Sequence, residues 1–197
     1  MHLAKKGLRV LGIAESFSSD DRSIIAGIVM RKDLRTDGFS FAWTTVGGRD
    51  ATQAIISLYR SFERKDINAI MISGCVISWF NIIDPVEVEK ETGIATIIVT
   101  YEESEGLEGD ICHHFPEDTE RLAAYQSLGP RIPVHLPTGY TIFIRSYGIP
   151  EEMAAGLCAA FTLDGKVPEP VRVARLCARA VLRFYRDDKK IGAKEPE

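Results

Sequence analysis

The sequence lacks the features that announce most chemistries. Its four cysteines, Cys75, Cys112, Cys158 and Cys177, are scattered over 197 residues with no Cys-x-x-Cys pair. That spacing argues against a disulfide scaffold and fits reduced thiols in a cytoplasmic protein. There is no P-loop, no Gly-x-Ser-x-Gly and no dinucleotide-binding glycine fingerprint, and Gly47-Gly48 alone does not make a phosphate cradle. No stretch reaches the roughly 20 apolar residues of a membrane span. The run from Val10 to Ala14 is cut by Glu15, too short for a signal peptide, so no membrane partner is expected. Cys112-His113-His114 has no second ligand pair, and three neighbouring side chains seldom face one ion, so no zinc site is expected. Positive charge is not in excess: the formal net charge is −4, so any polyanion contact has to rest on a local patch.

One such patch is written near the C-terminus. Arg172, Arg175, Arg179, Arg183 and Arg186 follow a Val-Pro-Glu-Pro-Val entry at helical spacing. At about 100° per residue they fall within roughly 80° of arc, a single cationic stripe. Val173, Cys177, Val181 and Phe184 are expected to form the apolar face that packs on the core. Holding several positive charges together has a Coulombic cost that a bound anion would relieve, although an ordinary solvated helix face has the same pattern.

The rest of the chain reads as one α/β domain, 1–186, followed by a charged, disordered tail, 187–197. Leu8–Ala14 is a nearly continuous apolar strand, and Ser23–Met30 and Phe39–Val46 follow through short connections as an antiparallel meander. Asp50 is placed to cap a helix from Ala51 to about Glu63. Ile67–Ser73 is a fourth strand, parallel to a neighbour because a helix leads into it. Asp84-Pro85-Val86-Glu87 is a helix start, Gly93 its stop, and Ala95–Tyr101 a fifth strand. Glu102–Asp110 reads as an exposed acidic loop, Pro116–Leu128 as a helix, Tyr140–Ser146 as an edge strand, and Pro150 as the start of a helix to about Phe161. Three antiparallel strands followed by α-β-α-β predict a three-layer, ribonuclease H-like α/β fold with a mixed sheet of five or six strands covered by helices.

Three segments carry a resemblance: GIAES at Gly12–Ser16, ISGCVISWFNIID at Ile72–Asp84 and VPEPVRVAR at Val167–Arg175. In this order and spacing the chain resembles an uncharacterised, largely archaeal family related to endonuclease V, over about Arg9 to Phe184. The resemblance implies a ribonuclease H-like fold and, for the endonuclease itself, Mg²⁺-dependent cleavage of nucleic acid near deaminated bases. In that pattern an aspartate ends the first strand, another ends the fourth before its glycine, and an acidic or His residue follows the alanine of the C-terminal motif. Here those positions are Ala14, Ser73 and Arg175. Magnesium takes hard oxygen ligands, and none of the three supplies a carboxylate.

The expectation is therefore a non-catalytic or very weakly catalytic protein, a pseudo-enzyme with no cofactor. It would bind nucleic acid or another anion through Arg172, Arg175, Arg179, Arg183 and Arg186, with Trp79 as a stacking candidate. A rival enzyme reading keeps Mg²⁺ through a rearranged set drawn from Glu15, Asp20, Asp21 and Asp50. Glu15 would point to the opposite sheet face from Ala14 unless a bulge re-aims it. A third reading is an interaction protein, a homo-oligomer in which the stripe pairs with Glu102–Asp110 of another copy.

Overall fold

The computed structural model describes residues 7–18 and 21–192, with side chains described as far as Asp187. Strand β1 (Arg9–Ser16) pairs antiparallel with β2 (Arg22–Arg31), which pairs antiparallel with β3 (Thr36–Thr45). Helix α1 (Ala51–Arg60) leads to β4 (Ala69–Ser73), which runs parallel to β1. A small hairpin, β5 (Val76–Ile77) and β6 (Asn81–Ile82), precedes α2 (Pro85–Thr92), and β7 (Ala95–Thr100) returns parallel to β4. Helices α3 (Glu108–His114) and α4 (Thr119–Gln126), strands β8 (Ile132–His135) and β9 (Thr141–Tyr147), and helices α5 (Glu151–Ala160) and α6 (Glu169–Gly192) complete the fold.

The main sheet has seven strands in the order β3-β2-β1-β4-β7-β9-β8, so the expected mixed α/β architecture is present with more strands than the five or six anticipated. The difference lies in the proline-rich stretch. Ile132–His135 forms the edge strand, where Pro133 can omit its N–H, and Tyr140–Ser146 contributes an interior strand rather than an edge. Glu108–His114, in part assigned to the acidic loop, is helical. The last helix continues to Gly192, so residues 187–192, assigned by composition to a disordered tail, are helical backbone; 193–197 lie outside the described residues. Among the described residues no helix is long and apolar enough to cross a membrane.

Alternation along the strands creates two cores. Val10, Ala69, Met71, Ile97 and Val99 face α5 and α6, where Leu157, Phe161, Val171 and Ala174 meet them. Leu11, Ile13, Ile70, Ile72 and Ile98 face α1 and α2 on the other side.

The closest approach to backbone is at Gly12: a Cβ built there would lie 2.2 Å from the carbonyl carbon of Pro170. Pro170 sits in the first turn of α6, where its fixed φ suits the helix and no N–H is lost from it. Because the obstacle is backbone, it cannot rotate away. Gly12→Ala should therefore destabilise the fold by about 1–3 kcal/mol or more, through overpacking. Urea denaturation should show a lower midpoint with an unchanged slope.

Candidate functional site

The register β1–β4–β7 brings the three resemblance positions together at the carboxyl ends of the strands. Ala14 is buried in the core that α6 covers, beside Val171 and Ala174. Ser73 ends β4 on the same face as Ala69 and Met71, and Arg175 reaches it: Nη2 donates to Ser73 Oγ at 2.8 Å. The guanidinium carbon also lies 5.2 Å above the ring of Tyr101, a cation–π contact. Burial pushes the Tyr101 hydroxyl up to about 12, against the opposite pull of Arg175 and Ser73. Tyr101 escaped the sequence reading because an apolar strand end gives no sign of what packs over it.

This donor set does not fit Mg²⁺. A methyl group, a hydroxyl already accepting from a guanidinium, and a fixed positive charge offer no carboxylate oxygen. Two unit positive charges about 4 Å apart repel by about 4 kcal/mol at an effective dielectric of 20, and a divalent ion doubles that.

Two of the rescue carboxylates, Glu15 and Asp50, are engaged elsewhere. Glu15 shares the α1 side of the sheet with Ile13, opposite Ala14, and the β1–β2 register runs through it without a bulge. Its Oε1 accepts from the Ser78 backbone N–H at 3.3 Å, while Oε2 is buried without a hydrogen-bond partner. Burial raises its pKa, outweighing the hydrogen bonds from Ser78.

Asp50 holds the N-cap position of α1 but makes no side-chain cap. Its carboxylate instead accepts from Thr44 Oγ1 (2.6 Å), Thr45 Oγ1 (2.8 Å) and Asn81 Nδ2 (2.7 Å). Burial works to raise the Asp50 pKa, yet those bonds and the Thr45 backbone N–H together hold it down at about 2. Asp84 does cap its helix, accepting from Val86 and Glu87 N–H. Asp21 is exposed, and Asp20 lies outside the described residues. Among the described residues no group of three or more His, Cys, Asp or Glu could hold a metal ion.

The α6 stripe is arranged differently from expectation. The buried face is Val171, Ala174, Ala178 and Leu182, and Phe184, assigned to packing, is 74% exposed. The arginines thus lie beside the packed face rather than opposite it, which is why Arg175 can turn inward. Arg172 makes a bidentate pair with Glu169, both contacts at 2.7 Å. Arg179 and Arg183 are exposed and have no carboxylate partner among the described residues, and Arg186 is partly buried. Glu102, expected on a partner-facing loop, pairs within the chain with Lys166.

Trp79 sits on a turn no propensity rule would select. Ser78, Trp79 and Phe80 all adopt left-handed φ values of 44°, 58° and 61°. Ser78 is tied to Glu15, to Ser23 Oγ at 2.5 Å and to the Gly47 N–H at 2.7 Å. The buried Arg121 donates to the carbonyls of Phe80, Gly47 and Gly48, pairs with Asp118 at 3.0 Å and stacks 4.1 Å from Phe115. The result leaves the indole 47% exposed, 4.8 Å from the His114 ring. Arg121 gave no signal in sequence, being one charged residue in a short polar helix.

The buried carboxylate under this turn makes a pH prediction. Because the folded pKa of Glu15 is raised, its contribution is fully present below the ordinary value of 4.5 and is lost as pH rises through the folded pKa. Glu15→Gln removes that loss. In urea denaturation the variant should gain stability relative to the unaltered protein as pH rises above about 4.5, the gain levelling off once pH exceeds the folded pKa. A pH-independent difference would mean that Glu15 ionises freely in the fold.

Comparison with known proteins agrees with this architecture. A family model described as Endonuclease dU matches residues 6–182. A UPF0215 protein of Pyrobaculum calidifontis is 37% identical over 179 residues, covering 88% of this chain and 97% of the relative. One from Thermococcus kodakarensis is 31% identical over 186 residues, covering 90% and 94%. Among solved structures, a protein of unknown function from Archaeoglobus fulgidus superposes with a TM-score of 0.76 at 29% identity, covering 88% of this chain and 98% of that one. Human ENDOV gives 0.64 at 17% identity (91% and 86%). Ciona intestinalis endonuclease V, solved with an inosine-containing DNA, gives 0.61 at 15% identity (91% and 88%), and at such identities the likeness is one of fold. The family match, the archaeal relatives and the seven-stranded sheet agree: this chain belongs to the Endonuclease dU family, related to endonuclease V.

Proposed function

We propose that this family member binds nucleic acid through α6 and is non-catalytic, or very weakly catalytic, toward phosphodiesters. The observation that carries the reading is Arg175, whose guanidinium bonds Ser73 Oγ in the crevice where the family resemblance calls for acidic groups. A fixed cation there opposes a metal ion and favours a phosphate oxygen. Arg179 and Arg183 extend the same positive edge into solvent without carboxylate partners among the described residues, available for phosphate contacts. The fold likeness to an endonuclease V solved with DNA supports nucleic acid as the anion. Exposed Trp79, held by Arg121, adds a ring on which an unstacked base can rest.

Fluorescence anisotropy with a single-stranded oligonucleotide across a salt series tests the reading. With three phosphate contacts the logarithm of affinity should fall with the logarithm of salt at a slope of about −2, at roughly −0.7 per contact. Removing Arg179 and Arg183 should flatten that slope by about 1.4. No binding at about 50 mM salt, or an unchanged slope in the double variant, would defeat the proposal. The lost chemistry has its own test: calorimetry should find no Mn²⁺ bound by the unaltered chain, whereas Ala14→Asp, Ser73→Asp and Arg175→Glu together should create a site. Mn²⁺-dependent incision by the unaltered chain would refute the non-catalytic part.

A further inference from the structure

A second cationic site lies on the other face of the sheet. Arg145 on β9 pairs across the ladder with Ile98, which faces α1 and α2, so Arg145 points away from α6 and its stripe. Two residues earlier Phe143 faces the same way, and Arg131 stacks on its ring with the guanidinium carbon 5.2 Å from the centroid. Arg131 and Arg145 together line a cavity of about 150 Å³ with Cys75, Thr100 and Tyr125.

Neither arginine forms an ion pair among the described residues; both are anchored by neutral acceptors. Arg131 donates to the carbonyls of Glu102 (2.9 Å) and Ser104 (3.0 Å) and to Thr100 Oγ1 (3.4 Å). Arg145 donates through Nε to the Gly129 carbonyl (2.9 Å) and through Nη1 to Cys75 Sγ (3.6 Å). That leaves Arg131 Nε and Arg145 Nη2 without a hydrogen-bond partner among the described residues, although each guanidinium carries five N–H donors. Two partly buried guanidiniums, each clamped at one end and with no ion-pair partner among the described residues, therefore line one concave site. Glu103 and Glu105 stand at the outer rim, in the wider opening of about 310 Å³, and neither pairs with these arginines.

We propose that Arg131 and Arg145 form a binding site for a small tetrahedral oxyanion, of the size and charge of phosphate, distinct from the α6 edge. Planar forks of donors held in place match such an ion with little loss of side-chain freedom. The ion is free inorganic phosphate or the terminal phosphate of a chain end; the chemistry is shared.

The test needs no substitution to begin with. Phenylglyoxal labelling of the intact protein, mapped by peptide mass, should be slowed selectively at Arg131 and Arg145 by inorganic phosphate, but not by chloride at the same ionic strength. At four times the dissociation constant the slowing should be about fivefold. Arg179 and Arg183 serve as internal controls with little or no slowing. A 5′-phosphorylated oligonucleotide that protects these two residues at lower concentration than its 5′-hydroxyl counterpart identifies a chain end as the source. Protection by phosphate alone identifies the free ion. As confirmation, Arg145→Met should abolish a phosphate-dependent rise in melting temperature, while Arg179→Ala with Arg183→Ala should leave it intact. Equal labelling of Arg131 and Arg145 with and without phosphate overturns the proposal, whatever the variants do. So does a Glu103→Ala, Glu105→Ala variant in which the two arginines label faster without phosphate, since that would show the rim carboxylates already occupying them.

Discussion

Helix α6 can lie against the sheet at this depth only because Gly12 has no side chain, and most of the site follows from that contact. With the backbone of Pro170 resting on β1, the buried face of α6 is fixed as Val171, Ala174, Ala178 and Leu182. The helical repeat then leaves no choice about residue 175: it falls at the border of the packed face, over the end of β4. A bulkier residue at position 12 would lift the helix and carry Arg175 off Ser73. The same packing explains why the arginines divide into two kinds. Arg175 is drawn inward to Ser73 and Tyr101, whereas Arg179 and Arg183, further along the helix, remain in solvent.

The opposite face depends on a different device. A turn of three consecutive left-handed, non-glycine residues costs of order 1–3 kcal/mol each, so something must over-determine it. Two buried charges do. Arg121 saturates the carbonyls of Gly47, Gly48 and Phe80 from below, and Glu15 receives the N–H of Ser78. Neither group is cheap to bury: Arg121 is compensated by Asp118 and by the ring of Phe115, whereas Glu15 keeps one oxygen unpartnered and has its pKa raised accordingly. Glu15, the strongest rescue candidate for chemistry, is thus accounted for by the architecture of the Trp79 turn.

Legibility in the sequence followed the range of the interactions involved. The meander, the Asp84 cap and the parallel strands were readable because alternation, capping and apolar runs are local signals, and the Val-Pro-Glu-Pro-Val entry marked the start of α6 for the same reason. The convergence of Ala14, Ser73 and Arg175 was not readable from periodicity; it came with the family resemblance, and the structure supplies the Arg175–Ser73 bond itself. The packed face of α6 was only partly legible: Val173, Cys177 and Val181 do pack against the core, but as its half-buried flank, because the approach to Gly12 centres the contact on Val171, Ala174 and Ala178 and leaves Phe184 in solvent. Asp50 reads as a cap from its neighbours in sequence, yet its carboxylate is taken by Thr44, Thr45 and Asn81, the last of them 31 residues away. The edge strand was placed one element late, because a proline-bearing strand of four residues gives little alternation to detect.

The two faces of the sheet now carry positive charge by different means, and that difference bears on what each can bind. Along α6, Arg179 and Arg183 are exposed and about one helical turn apart, which suits successive phosphates of a chain. Arg131 and Arg145 are clamped by backbone carbonyls and an aromatic ring into one concavity, which suits a single compact ion. The crevice between them, at the ends of β1 and β4, is where a nuclease of this architecture would need negative charge. Here Ala14 contributes none and Arg175 contributes the opposite sign. In the proposed reading, a polyanion on the α6 side meets Arg179 and Arg183 and then Arg175, with no carboxylate-held ion at Ala14 and Ser73 to activate water. On that reading, retention without hydrolysis rests on the sign of the charge at residue 175, which the packing at Gly12 positions over Ser73.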